Sequence, residues 1–182
     1  MTDRAIIRGG LTRMGLPADE TTIDGICATY LAALAEEMPC SVGFRVCPGV
    51  SELLAGLAGR ANLAMGLGTG NLRDGAQLKL ARGGIDHHFA FGGFGCDHED
   101  RPTLVRIGAE RGAARLGVTL AACRVVVIGD TPHDVAAARA LGAESLAVGT
   151  GGVAATELVA AGATRMVPDL AAAGVLPMLV GG

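Results

Sequence analysis

Two aspartates follow a run of β-branched residues in the segment VVVIGDTPHD, residues 125–134. The run predicts a buried strand, and Asp130 and Asp134 come directly after it. Carboxylates are hard oxygen ligands, and a magnesium ion takes one or two of them from a protein. Asp130 is therefore a candidate direct ligand, and Asp134 a candidate water-mediated one. The structural alternative is that Asp134 caps the next helix while Asp130 supports the turn at Pro132.

A glycine-rich loop, LAMGLGTGN at residues 63–71, ends another predicted strand. Its glycines allow the backbone to approach an anion, and Thr69 offers a hydroxyl. The helix that follows would point its first N–H groups at a phosphate. The spacing is G-x-G-x-G rather than the dinucleotide G-x-G-x-x-G, and glycine at such a turn can also serve geometry alone.

Arg101 stands before a proline at the start of a predicted helix. A guanidinium suits bidentate contact with phosphate, so an arginine at this position is a candidate phosphate ligand. The preceding acidic cluster, residues 97–100, invites a metal interpretation. Adjacent side chains on a turning loop point in different directions, however, and a solvated polar loop is the preferred interpretation.

Short apolar runs alternate with helical patterns from Val42 onward. Such alternation predicts βαβ units, and hence an α/β fold with a Rossmann-like, mostly parallel sheet and flanking helices. Strands are expected at 62–67, 89–91, 125–128 and 145–148, and helices at 51–59, 72–82, 103–116 and 134–141. In open parallel sheets ligands bind beyond the carboxyl ends of the strands, where both motifs lie.

The first 41 residues contain no convincing strand. Helices are predicted at 4–14 and 21–37, so residues 1–41 are expected to form a partial helical cap beside an α/β core at 42–182.

Composition excludes several classes of protein. The net charge is −3 over 182 residues and no basic stripe is present, which argues against nucleic acid as a partner. No apolar run is long enough for a membrane helix, and the N-terminus does not resemble a secretory signal. The five cysteines form no C-x-x-C pair, which predicts reduced thiols in a cytoplasmic protein.

Taken together, the motifs resemble the haloacid dehalogenase (HAD) superfamily of hydrolases, in its phosphoglycolate-phosphatase-like branch. GLGTGN resembles the family's second motif, whose Thr or Ser binds a phosphoryl group, here Thr69. IGDTPHD resembles the fourth motif, whose acids hold magnesium, here Asp130 and Asp134. The third motif is a Lys or Arg, often followed by proline, which favours Arg101. Lys79, the only lysine in the chain, is the second candidate for that role.

This resemblance implies a magnesium-dependent phosphatase that hydrolyses a small phosphorylated metabolite. An aspartate would attack phosphorus, and water would cleave the aspartyl phosphate. Thr69 with the amides of Gly70 and Asn71 would hold the phosphoryl oxygens. Arg101 and Mg²⁺ would offset the developing charge.

The family's first motif, D-x-D-x-T at the end of a first strand, is missing from this sequence. The nearest string, TIDGICA at 22–28, has Thr22 at the nucleophile position and no buried strand before it. The resemblance places the missing strand at the centre of the sheet, between those ending at Thr69 and Asp130. We therefore expect a truncated chain, inactive alone, whose open strand edges favour a homo-oligomer.

Two other functions compete with this interpretation. The loop GLGTGN also resembles the glycine loop of S-adenosylmethionine-dependent methyltransferases. Those enzymes need an acidic residue after the next strand, and this sequence has none there. The methyltransferase interpretation also leaves GDTPHD unexplained. A non-catalytic remnant that binds a phosphorylated ligand or a partner is the other alternative.

Overall fold

A computed structural model describes residues 1–181. Within that range the helices are α1 (Asp3–Arg13), α2 (Glu20–Glu37), α3 (Val50–Leu57), α4 (Arg73–Arg82), α5 (Arg101–Arg115), α6 (Pro132–Leu141), α7 (Ala155–Ala160) and α8 (Val175–Val180). The strands are β1 (Leu67–Gly68), β2 (Gly92–Gly93), β3 (Val126–Gly129), β4 (Glu144–Val148) and β5 (Arg165–Val167). Short 3-10 turns lie at Met38–Cys40, Asp86–His88 and Leu120–Ala122.

The strands form two small parallel sheets. β1 pairs with β2, with Leu67 opposite Gly92. The second sheet has the order β3-β4-β5, with Val126 opposite Glu144. Parallel strands separated by helices confirm the predicted α/β class. β1 and β3 belong to different sheets, and a first strand between them remains a prediction.

Helices cover both faces of the larger sheet. Successive residues of β4 point to opposite sides, so each face contributes its own side chains to a helix contact. Leu146 and Val148 pack on one side with α3 and α8, in a core cluster that includes Leu53 and Val175. Ala147 packs on the other side with Val135 of α6 and Leu158 of α7. This arrangement is three layers deep. Residues 145–148 of β4 are buried, while β3 lies at an edge of the sheet.

Helix α5 crosses β1 and β2 at very short range, and two glycines make this approach possible. A Cβ at Gly93 would lie 1.7 Å from the carbonyl oxygen of Leu104, and one at Gly108 would lie 2.8 Å from the Gly93 nitrogen. Glycine is needed here because the backbones themselves are in contact.

The first two strands differ from the sequence-based prediction. β1 consists of Leu67 and Gly68, so it shares only Leu67 with the expected strand at 62–67. β2 lies at Gly92–Gly93 rather than at 89–91. Aromatic residues at 89–91 raised the strand propensity, but the close packing against α5 selects the glycine pair that follows. Helix α7, strand β5 and helix α8 were not predicted.

Helices α1 and α2 pack beside α4. Ile23 and Cys27 of α2 form a buried cluster with Leu72, and burial raises the pKa of the Cys27 thiol. The division into a cap at 1–41 and a core at 42–182 remains a prediction. None of the helices in residues 1–181 combines the length and apolar character needed to cross a membrane.

Candidate functional site

The loop after β1 places Thr69 at the edge of the first sheet. Its N–H donates to the Gly93 carbonyl at 3.0 Å, which fixes the residue relative to β2. Its Oγ1 accepts two hydrogen bonds from Asn71, one from the backbone N–H at 3.2 Å and one from Nδ2 at 2.8 Å. The Asn71 N–H is therefore engaged within the loop. Gly70 is buried, and its N–H makes no hydrogen bond within residues 1–181.

Lys79 reaches the same loop from the second turn of α4. Its Nζ donates to Asn71 Oδ1 at 2.5 Å. The part of the chain that the structure describes offers Lys79 no carboxylate partner within ion-pair distance. The two candidates for the positive charge therefore occupy different places: Lys79 contacts the Thr69 loop through Asn71, whereas Arg101 joins the loop to the second sheet.

Arg101 begins α5 and connects the two strand ends. Its Nη2 donates to the Gly68 carbonyl at 3.3 Å, and its Nε donates to Asp134 Oδ1 at 3.0 Å. A further bond joins Nη2 to the same carboxylate oxygen. The guanidinium thus connects the residue before Thr69 to the first turn of α6, across two sheets that share no strand pairing.

Asp134 is buried and has both carboxylate oxygens engaged. Oδ1 accepts from Arg101, and Oδ2 accepts from the N–H of Thr131 at 3.1 Å and from its hydroxyl at 2.8 Å. Thr131 and Asp134 form a capping box at the start of α6. The helix-capping alternative for Asp134 is therefore observed, and only a water-mediated place near a metal ion is compatible with these contacts.

Asp130 follows β3 and faces a cleft of about 160 Å³, which Cys47, Pro48 and Thr150 also line. Both donors of the neighbouring Thr131 bind Asp134. Within residues 1–181 no hydrogen bond reaches the Asp130 carboxylate. A Cβ at Gly151 would lie 2.3 Å from Asp130 Oδ2, so glycine there leaves room for this side chain.

These contacts test whether the residues fit a magnesium ion. Mg²⁺ typically takes one or two protein carboxylates and completes its shell with water and substrate phosphate. Asp130 is a free carboxylate beside a cleft and fits this donor set, with Asp134 one turn away. Residues 1–181 contain no group of three or more His, Cys, Asp or Glu side chains arranged around a metal position.

The acidic cluster at 97–100 is divided among separate partners. Asp97 pairs with Arg111, Glu99 with Arg8, and Asp100 caps α5 by accepting from Thr103. The Arg111 guanidinium and the Phe94 N–H hold the pKa of the Asp97 carboxyl below its usual range. These contacts stabilise the fold around the site rather than forming a site of their own.

The N-terminal segment contributes a residue that the sequence reasoning missed. Asp3 accepts a hydrogen bond from the Leu72 N–H at 2.9 Å, and its own N–H donates to the Gly70 carbonyl at 2.8 Å. Thr2 is fully buried at the start of α1, where it caps the helix. Thr2 and Asp3 are typical of a helix start. Nothing in the local sequence, however, indicates their contact with a loop nearly 70 residues away.

Comparisons with known proteins extend this description. Residues 103–173, which run from α5 past β5 and include Asp130 and Asp134, match the hydrolase-like family model described as HAD-hydrolase-like. This segment is haloacid dehalogenase-like. The family resemblance inferred from the motifs is thereby confirmed, while the phosphoglycolate-phosphatase-like branch remains a prediction. No curated protein is similar enough to the chain to be matched.

Solved structures share the HAD-like fold. A putative beta-phosphoglucomutase from Thermotoga maritima is 25% identical, with a TM-score of 0.57, and the match covers 74% of this chain and 60% of that one. CbbY from Rhodobacter sphaeroides, in complex with phosphate, is 19% identical, with a TM-score of 0.67 and coverage of 84% and 66%. The chain thus spans less than two thirds of either protein.

A third structure covers nearly the whole chain. It is a conserved haloacid dehalogenase-like protein of unknown function from Agrobacterium tumefaciens str. C58, with 21% identity and a TM-score of 0.59. The match covers 99% of this chain and 77% of that protein. The matched part of the chain therefore includes nearly all of the helical residues 1–41.

Proposed function

We propose that this HAD-like chain supplies the phosphate- and magnesium-binding part of a phosphatase for a small phosphorylated metabolite. The supporting observation is the position of Arg101, whose guanidinium contacts both the Gly68 carbonyl and the Asp134 carboxylate. This bridge connects the strand residue before Thr69 to the first turn of the helix that follows Asp130. The phosphate named with CbbY is consistent with such a ligand.

Each residue has a separate task in this proposal. The Thr69 hydroxyl and the Gly70 N–H hold phosphoryl oxygens, and Arg101 offsets negative charge as it develops. Asp130 provides the carboxylate for Mg²⁺, and Asp134 orients Arg101. When bound, Mg²⁺ would polarise a phosphoryl oxygen and neutralise part of its charge. The Asn71 N–H would have to leave Thr69 before it could contact a substrate.

The covalent step has no candidate nucleophile in this sequence, which lacks D-x-D-x-T. We therefore expect the purified 182-residue chain to bind phosphate without turning over a phosphate ester. Because binding without turnover is also what a non-catalytic protein would show, a non-catalytic, phosphate-binding role is a second proposal. Magnesium-dependent hydrolysis of p-nitrophenyl phosphate that Asp130→Ala abolishes would contradict both the inactivity and the non-catalytic role.

Calorimetric titration with inorganic phosphate, with and without Mg²⁺, tests the binding proposal. Mg²⁺ should strengthen phosphate binding by the wild type, and Asp130→Asn should remove about tenfold or more of that gain because it removes the ligand charge. Glu110→Gln, an exposed change on α5, is the matched control and should behave as wild type. A wild type that binds no phosphate under either condition would overturn the proposal.

A further inference from the structure

The side chain of Asn71 lies between a lysine and a hydroxyl, and the lysine determines which way the amide points. A lysine ammonium has three donors and no acceptor. The 2.5 Å contact with Lys79 Nζ therefore requires the Asn71 oxygen, and the Nδ2 group must face Thr69. Amide orientation is ambiguous only where both ends meet groups that can donate and accept, which is not the case here.

The orientation of the Asn71 amide determines which hydrogen bonds the Thr69 hydroxyl can still make. A hydroxyl oxygen accepts two hydrogen bonds through its lone pairs and donates one. The Asn71 N–H and Nδ2 groups fill both acceptor positions, at 3.2 and 2.8 Å. The only hydrogen-bonding capacity left on the Thr69 side chain is its O–H donor, so the group can recognise an acceptor but cannot ligate a cation.

We propose that Lys79 and Asn71 are positioning residues that commit the Thr69 hydroxyl to donating, and so make the loop selective for an acceptor oxygen such as that of a phosphoryl group. The identity of this ligand rests on the proposed function. Lys79 thus has a task distinct from that of Arg101. It acts through Asn71 on the orientation of a neutral donor, while Arg101 supplies charge at the junction of the two sheets.

Nuclear magnetic resonance can observe this relay without any ligand. The chain has two asparagines, Asn62 and Asn71, and one glutamine, so its side-chain amide signals are few. The Asn71 Nδ2 protons should exchange with water about tenfold or more slowly than those of exposed Asn62, because they are hydrogen-bonded. Lys79→Met should remove this protection by releasing the amide, and Lys79→Arg should retain it by keeping a donor.

Phosphate titration of the same full-length variants tests the consequence for binding. Asn71→Asp would let the Thr69 hydroxyl turn inward to a carboxylate, so phosphate should bind about tenfold or more weakly, as in Thr69→Val. Thr69→Ser restores a hydroxyl and should recover most of the affinity that Thr69→Val loses. Asn62→Asp is the matched control for the asparagine change. Thermal unfolding of each variant separates a local effect from loss of the fold.

The outcomes separate the relay from the proposed function. If Lys79→Met leaves both Asn71 amide exchange and phosphate affinity unchanged, the relay is overturned even though the wild type binds phosphate. If the wild type binds no phosphate, the proposed function and the ligand assigned to Thr69 are overturned. In that case slow Asn71 exchange that Lys79→Met abolishes would still support the relay, and fast exchange would overturn it.

Discussion

Ion pairs around the candidate site differ in what they stabilise. Asp134 joins Arg101 to a helix cap, and its burial makes the loss of either partner costly because a charge would be left unpaired. Asp97 and Arg111 form a more exposed pair that ties the 94–97 turn to α5. The Asp134–Arg101 pair therefore connects two candidate site residues, whereas the Asp97–Arg111 pair stabilises the loop before α5.

Acid should weaken the fold through Asp97. Its folded pKa lies below the ordinary value of 3.8, so the unfolded chain binds more protons in acid. The stabilisation is fully present above about pH 4 and is lost as the pH falls through the folded pKa. Urea unfolding at pH 7 and pH 3 should show a smaller difference for Asp97→Asn than for wild type. Asp74→Asn, an exposed change on α4, is the control, and equal differences in both variants would contradict the assignment.

Helix α4 depends on a cap from a distant element. Its N-cap residue, Leu72, has no polar side chain, and Asp3 of α1 accepts the Leu72 N–H instead. Asp3→Ala should lower the free energy of unfolding by about 1 kcal/mol, the usual cost of a lost cap. Asp3→Asn keeps an acceptor oxygen and should retain most of the stability. Thermal denaturation of both variants checks this, and equal losses would show that charge rather than capping matters.

The crossing of α5 over β1 and β2 depends on Gly93. An added methyl would meet the Leu104 carbonyl at 1.7 Å, and neither backbone can move without breaking the strand pair. Gly93→Ala should therefore lower the unfolding free energy by about 3 kcal/mol or more. Gly25→Ala, on α2 with no atom within 4 Å of the added methyl, should instead stabilise by about 0.5 to 1 kcal/mol. Urea denaturation measures both changes in unfolding free energy. A Gly93→Ala variant as stable as the wild type would show that α5 does not pack against β2 as closely as described.

At the scale of the whole molecule, β3 is an edge strand with apolar surface. Ile128 is 39% exposed although it is the last residue of a β-branched run typical of a buried strand. Open strand edges promote association between chains, so we expect sedimentation velocity to show concentration-dependent oligomers.

Charge at this position should suppress that association. Ile128→Lys should shift the sedimentation profile toward monomer because a lysine on an edge strand opposes pairing. Val159→Lys changes another exposed apolar residue, on α7, and should leave the distribution unchanged. A wild type that remains monomeric at all concentrations would rule out the edge as an association surface.

Sequence patterns predicted six of the eight helices in residues 1–181 and two of the three strands of the second sheet. Periodicity, caps and β-branched runs are local properties, and they predicted α2, α5, α6, β3 and β4 closely. They did not predict β1 and β2 correctly, because these strands are defined by their mutual pairing and by the passage of α5 over Gly93 rather than by propensity.

The sequence likewise predicted which residues are candidates for the site, but it did not predict which residues they contact. Motif spacing together with the family resemblance selected Thr69, Arg101, Lys79, Asp130 and Asp134. Only the tertiary structure decided that Arg101 binds Asp134, that Lys79 acts on Asn71, and that Asp3 caps α4. Hydrogen bonds join atoms brought together by folding, and a contact between residues 3 and 72 has no trace in the local pattern of either. The sequence therefore determined which groups are present, and the packing of the helices on the two sheets determined what each group is free to do.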